Sequence, residues 1–229
     1  MKNYLRFSLS AMLLMFAFGI FASQASAQIP EILKRMDDHQ KALTSLRASV
    51  MMDKYNAQLD EHDLYEGNAM YVKVKERDAL VKLEWAKPQQ EILTVANKKY
   101  VLYRPSLKRA ITGNTDDAQK KNTAGSGTFD FLKMSKEQLK ANYSVKYFGQ
   151  EEVKGGIPTW HLELTPKTAK SYKSVDIWVD GNGMVLQTKV NENNGDSTTV
   201  FLSNLRKNED IRTADFVLDL PKGTEIVKG

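Results

Sequence analysis

The chain has 229 residues, no cysteine, three histidines and a formal net charge of +5. Without cysteine it can hold no disulfide, and a lipobox, which needs a cysteine at its cleavage point, is excluded. Lysines and glutamates are interleaved, a mildly basic mixture that favours solubility and weak attraction to anionic membranes and gives no argument for nucleic acid.

Residues 1–27 make a three-part pattern. Lys2 and Arg6 give a positive start, Leu13–Ala22 is an apolar run of signal-peptide length, and Ala25-Ser26-Ala27 places small residues where a signal peptidase reads. The run is too short for a transmembrane helix. Cleavage is expected between Ala27 and Gln28, with export to the periplasm. Losing residues 1–27 removes Lys2 and Arg6 and no acid, so the formal net charge falls from +5 to +3. No second apolar run approaches membrane-spanning length. Residues 28–229 fit one β domain of ordinary size, expected to be a soluble monomer.

The first segment of that domain reads as a helix. Pro30 stands near its start, and Ile32, Leu33, Met36, Leu43 and Leu46 fall on one face at spacings of three, four and seven. It is expected to pack on a sheet. From Ala48 the period changes to two, with Ala48, Val50 and Met52 alternating with Ser49, Met51 and Asp53. Strands follow at Glu66–Lys73 and Ala79–Trp85, the latter ended by Pro88, which cannot donate to a ladder. Glu91–Val95 and Tyr100–Tyr103 flank the turn Ala96–Lys99, and Lys108–Thr112 comes after Pro105.

The chain then changes character. Gly113 to Gly127 is polar, with no apolar residue larger than alanine, and loops of that length are commonly functional. Phe129, Phe131, Leu132 and Met134 follow. Ser135 with Gln138 offers a capping box for a short helix through Ala141. Strands resume at Tyr143–Val153, Thr159–Leu164, Val175–Val179, Met184–Val190 and Ser197–Leu205, with a last one near Phe216–Leu220. Asp180-Gly181-Asn182-Gly183 and Asn193-Asn194-Gly195-Asp196 are hairpin signals. About eleven short strands at this spacing indicate a barrel or a sandwich.

No catalytic constellation is found. His39 falls in the first helix, His62 in a turn and His161 in a strand, with no metal-ligand spacing. No Gly-x-Ser-x-Gly elbow and no Gly-Lys-Ser/Thr phosphate loop occurs. The adjacent acids Asp116-Asp117 and Glu151-Glu152 point apart and are expected to be solvated. Neither an enzyme nor a cofactor is expected. What is present is apolar surface on both faces of several strands. Leu93 and Val95 oppose Ile92, Tyr100 and Leu102 oppose Val101 and Tyr103, and Ile177 opposes Trp178. Both faces must be covered. The pattern leaves open a cavity under a lid and a two-sheet sandwich core. Met51, Met52, Met70, Met134 and Met184 suit an adaptable apolar surface and equally an ordinary core.

Two stretches carry a resemblance. One is Gly67–Lys73, Leu80–Trp85, Pro88 and Glu91–Tyr103. The other is Ile177-Trp178-Val179-Asp180, Gly183, Val185, Asp215-Phe216, Pro221-Lys222-Gly223 and Val227. In their order these elements resemble the LolA family of lipoprotein carriers. The resemblance implies an unclosed antiparallel β-barrel with an N-terminal helix and a helical lid, whose cavity receives the acyl chains of lipoproteins. It implies two partners, an inner-membrane lipoprotein-releasing transporter that loads the carrier and an outer-membrane receptor that unloads it. The missing cysteine fits the soluble carrier rather than the lipid-anchored receptor of similar fold. The acyl cavity and lid would be formed by Val81, Leu83, Trp85, Leu93, Val95, Leu102, Phe129, Phe131, Leu132, Met134, Ile177 and Trp178. The family's lid-closing arginine, counted back from Pro88, falls on Arg77, which is followed here by Asp78 where the family has proline. The alternatives are a sensor or regulatory module of the same fold, or a carrier of free lipid or glycolipid.

Overall fold

A computed structural model describes residues 28–74, 79–115 and 134–229. A helix, α1, covers 28–42. It is followed by β1 (Ser45–Asn56), β2 (Glu61–Lys73), β3 (Ala79–Lys87), β4 (Glu91–Ala96), β5 (Lys99–Arg104) and β6 (Arg109–Asn114). Helix α2 (Lys136–Asn142) precedes β7 (Tyr143–Val153), β8 (Ile157–Pro166), β9 (Tyr172–Val179), β10 (Val185–Glu192), β11 (Ser197–Lys207) and β12 (Glu225–Lys228). The twelve strands form one sheet in the order β12-β6-β5-β4-β3-β2-β1-β11-β10-β9-β8-β7. Its ladders are antiparallel except for β12, which lies parallel to β6. The sheet does not close, and β12 and β7 are its edges. This is a mainly β, open-barrel architecture with an N-terminal helix.

Local chemistry explains most boundaries. Arg104 ends β5 before Pro105, and Lys87 ends β3 before Pro88. The β4–β5 turn puts Asn97 and Lys98 at φ 50° and 60°, the primed geometry that matches strand twist. Helix α2 has the expected capping box. Ser135 Oγ accepts from the Gln138 amide at 3.3 Å, and Gln138 Oε1 accepts from the Ser135 amide at 2.9 Å.

Three sequence expectations are corrected. Leu46 belongs to β1, because α1 stops at residue 42; a helical stripe and the inward face of the following strand are indistinguishable by spacing there. Strand β2 starts at Glu61 and contains His62, so that residue is not in a turn. The alternation near Phe216–Leu220 is not a strand. Thr213–Phe216 is a short 3-10 turn with Phe216 buried, in a crossover that carries the chain from β11 to the parallel strand β12. Its apolar residues anchor a connection, which mimics strand periodicity over four residues.

Residues paired across antiparallel strands share a face. Leu46, Tyr71, Val81, Val95 and Tyr100 therefore form one inward row, and Ala48, Ala69, Leu83, Leu93, Leu102 and Ile111 the next. Two apolar clusters result. One packs Ile32, Leu33 and Met36 of α1 and Leu139 of α2 on Leu162, Leu164, Val175, Ile177 and Val179. The other gathers Leu46, Val50 and Met52 with Leu83, Trp85, Met184 and Leu202.

Candidate functional site

An apolar cavity lies where α1 crosses the sheet between these clusters. Helix α1 lends Met36, His39 and Gln40, and Leu43 follows just past its end. The strands β1, β2, β3 and β11 lend Leu46, Tyr71, Val81, Leu83 and Leu202, and Met134 closes over from the approach to α2. Gly183, Met184 and Val185, at the β9–β10 connection, complete the wall. Its free space is about 70 Å³. Cavities that hold a drug-sized ligand run to roughly 300–1,000 Å³, so a long chain enters only if the walls part. Met36, Met134 and Met184 are unbranched and polarisable, suited to repacking around a guest. Met70 touches the cavity too, but its sulfur accepts a hydrogen bond from Arg47, on the opposite face.

The helix is fixed to one half of the sheet. Arg35 donates to the Gly181 carbonyl at 2.9 Å, and its guanidinium sits 5.3 Å from the centre of the Trp160 ring. Asp180 Oδ1 accepts from the amides of Asn182 and Met184 at 2.9 and 2.8 Å, which shapes the turn. Gly183 has φ +86°, and a Cβ there would overlap the Arg35 carbonyl. Glycine is thus required for the turn to touch the helix backbone. His39, one turn further on, has its ring beside the Asn182 backbone. Burial first, then the Lys207 charge, holds its pKa below the ordinary histidine value.

Of the residues expected at an acyl site, the structure brings Val81, Leu83 and Met134 to this wall. Leu93 packs against the adjoining cluster, and Val95 and Leu102 continue the same inward face across β4 and β5. Trp85 is buried in that cluster, its ring 5.6 Å from Tyr65 in an edge-on contact. Ile177 is fully buried beneath α1 and is not part of the wall. Trp178 points to the opposite face, where it stacks on His161 at 4.5 Å and donates to Glu151 at 2.8 Å. Phe129, Phe131, Leu132, Arg77, the acids Asp116-Asp117 and residues 1–27 lie outside the described residues. Sequence reasoning missed Met36, His39, Gln40 and Leu43 as cavity residues. They sat in or beside the amphipathic stripe of α1, which reads the same whether it meets a core or a cavity.

Glu151 is not simply solvated. The Trp178 N–H first, and His161 after it, hold its carboxyl below the usual range. His161 is flanked by Glu151 at 2.8 Å and Asp176 at 2.7 Å, one carboxylate at each ring nitrogen. Both ring nitrogens are thus engaged by carboxylates of this chain. Among the described residues no group of histidines and acids is placed to hold a metal ion, and no helix is long and apolar enough to cross a membrane.

The family described as outer membrane lipoprotein carrier protein LolA matches residues 73–219. The chain belongs to the LolA family. That span runs from the end of β2 past Phe216, so it holds the β3 side of the cavity and the β9–β10 turn but not α1. No curated protein sequence matches this LolA-family chain. Its fold is similar to that of an uncharacterized conserved protein from Thermus thermophilus, at TM-score 0.56 and 13% identity over 89% of this chain and 99% of that one. It is also similar to the Pseudomonas aeruginosa MucA/MucB complex structure, at TM-score 0.52 and 12% identity over 82% of this chain and 60% of that one. This LolA-family chain therefore spans less than two thirds of that neighbour's length.

Proposed function

We propose that this LolA-family protein is a non-enzymatic periplasmic carrier. It takes the acyl chains of lipoproteins into the cavity under α1, receives them from an inner-membrane transporter and gives them up to an outer-membrane receptor. The observation that carries the reading is the cavity itself, an apolar wall with four methionines between the N-terminal helix and an open sheet. Val81, Leu83 and Met134 are proposed as acyl contacts. Arg77 is proposed as the residue that fastens the lid.

Energetics support a carrier that is closed when empty. Burying acyl chain is worth about 0.8 kcal/mol per methylene, so one long chain approaches ~12 kcal/mol. A carrier that held its cargo as well as a bilayer would gain nothing by release. Parting walls that enclose only about 70 Å³ costs packing contacts, and that cost offsets part of the acyl gain and brings cargo affinity down to where handover can occur.

Native mass spectrometry of the protein purified gently from the periplasm tests this. A co-purified acylated peptide is the expected result. Co-purified free lipid would replace it with a lipid or glycolipid carrier. An empty protein that also fails to take lipoprotein from spheroplasts would overturn the carrier reading and leave a sensor or protein-binding module.

A further inference from the structure

The cavity wall is apolar but for a few groups, and one of these is singular. The His39 ring lies beside the Asn182 backbone, in the turn to which α1 is fixed, and that backbone favours a proton on the ring. Its Nε2 is buried and has no hydrogen-bond partner among the described residues, while the residue lines the cavity. A backbone group that favours a ring proton is a carbonyl, which only accepts, and Nε2 has no partner among the described residues. The tautomer assigned on that ground puts the proton on Nδ1 and leaves Nε2 an acceptor. The nearby Lys207 charge and the low-dielectric wall disfavour a second proton there. A buried acceptor without a donor is a standing cost of the empty state, and a ligand that supplies a donor relieves it.

We propose that His39 Nε2 reads the group at the head of the bound acyl chain, and that this group is a hydrogen-bond donor. The amide N–H of an N-acylated cargo and the hydroxyl of a lipid headgroup share that chemistry. Ester, ether and phosphodiester oxygens have no proton to give and meet a lone pair. The inference rests on the carrier reading, since it concerns the same cavity, and it adds a basis for choosing among apolar guests that acyl burial alone treats alike.

The test is displacement of an environment-sensitive fluorescent fatty acid by two matched pairs of probes. One pair is N-palmitoylglycine methyl ester and its N-methyl analogue; the other is monopalmitoylglycerol and its dimethyl ether. The wild-type protein is expected to bind the N–H amide roughly tenfold tighter than the N-methyl form, the scale of one net hydrogen bond. His39→Leu should bring that ratio to about one, and His39→Gln, which keeps an acceptor, should restore part of it. A split in the glycerol pair alone would support the donor rule and assign the donor to a lipid headgroup. Displacement by all four probes with no split in either pair would overturn the inference and leave the carrier reading standing. Displacement by none would overturn the carrier reading, and this inference with it. The wild-type ratios decide the matter even if His39→Leu does not fold.

Discussion

Side chains of similar chemistry have separate duties here, and burial decides which. Ile177 and Leu83 are both apolar strand residues, yet Ile177 is sealed beneath α1 while Leu83 meets the cavity. Ile177→Ala should therefore lower stability by about 3 kcal/mol, the usual cost of truncating a sealed aliphatic side chain, read as a shift of the urea midpoint. Val81 is only half-buried on the cavity wall, so a larger residue has space to enter. Val81→Phe should cost about 1 kcal/mol of stability, the low end for an enlarged side chain because there is free space beside it, and weaken fatty-acid probe binding by at least tenfold. Equal loss of stability in the two variants would mean that the cavity is ordinary core. Acid should act first through His39 and then through carboxylates, of which Glu151 is the one held by an aromatic N–H. His39 has its folded pKa below the ordinary 6.5, so below that pH the unfolded chain binds the extra proton and stability falls. Glu151 has its folded pKa below the ordinary 4.5, so its contribution is present above that value and is lost as pH drops through it. The sign is the same in both cases, because the unfolded state holds more protons. Urea midpoints followed downward from neutral pH should decline first below 6.5, and His39→Leu should flatten that first decline while leaving the second.

At the scale of elements, the β9–β10 turn decides where α1 sits. Four features converge there: the Asp180 carboxylate that shapes the turn, the Arg35 side chain that binds it, the His39 ring beside it, and the missing Cβ of Gly183. Gly183→Ala places a side chain against the Arg35 carbonyl at positive φ, a combination worth about 2–4 kcal/mol of strain and overlap. Its melting temperature should fall. Because the helix is one wall of the cavity, the probe should bind less tightly as well. A fall in stability with unaltered probe binding would mean that the wall does not depend on this turn. The turn was visible in the sequence as Asp-Gly-Asn-Gly, a hairpin signal. It also clamps a helix far away in the chain, with Arg35 and Gly181 lying 146 positions apart. That clamp has no local signature, since it uses a backbone carbonyl and an absent side chain.

For the whole molecule, the one-dimensional text was informative wherever a local rule acts alone. Prolines stopped β3 and β5, the Ser135–Gln138 pair capped α2, and period-two alternation marked most strands and hence the β class. The order of apolar elements pointed to the LolA family, because that order survives when individual residues drift. Three things needed the tertiary structure. The crossover through Phe216 to the parallel strand β12 was read as a strand, because a short anchored connection alternates like one. Trp178 and Ile177 were grouped at one site, although adjacent strand residues face opposite ways and only the packing on either side says which face is core, cavity or surface. The cavity residues of α1 were hidden in a stripe that burial requires whatever lies beneath it. Local sequence determines period, caps and stops, because these depend on neighbours a few bonds away. What an apolar face meets depends on the curvature of a twelve-stranded sheet and on where a distant turn holds the helix, and only the folded chain decides that.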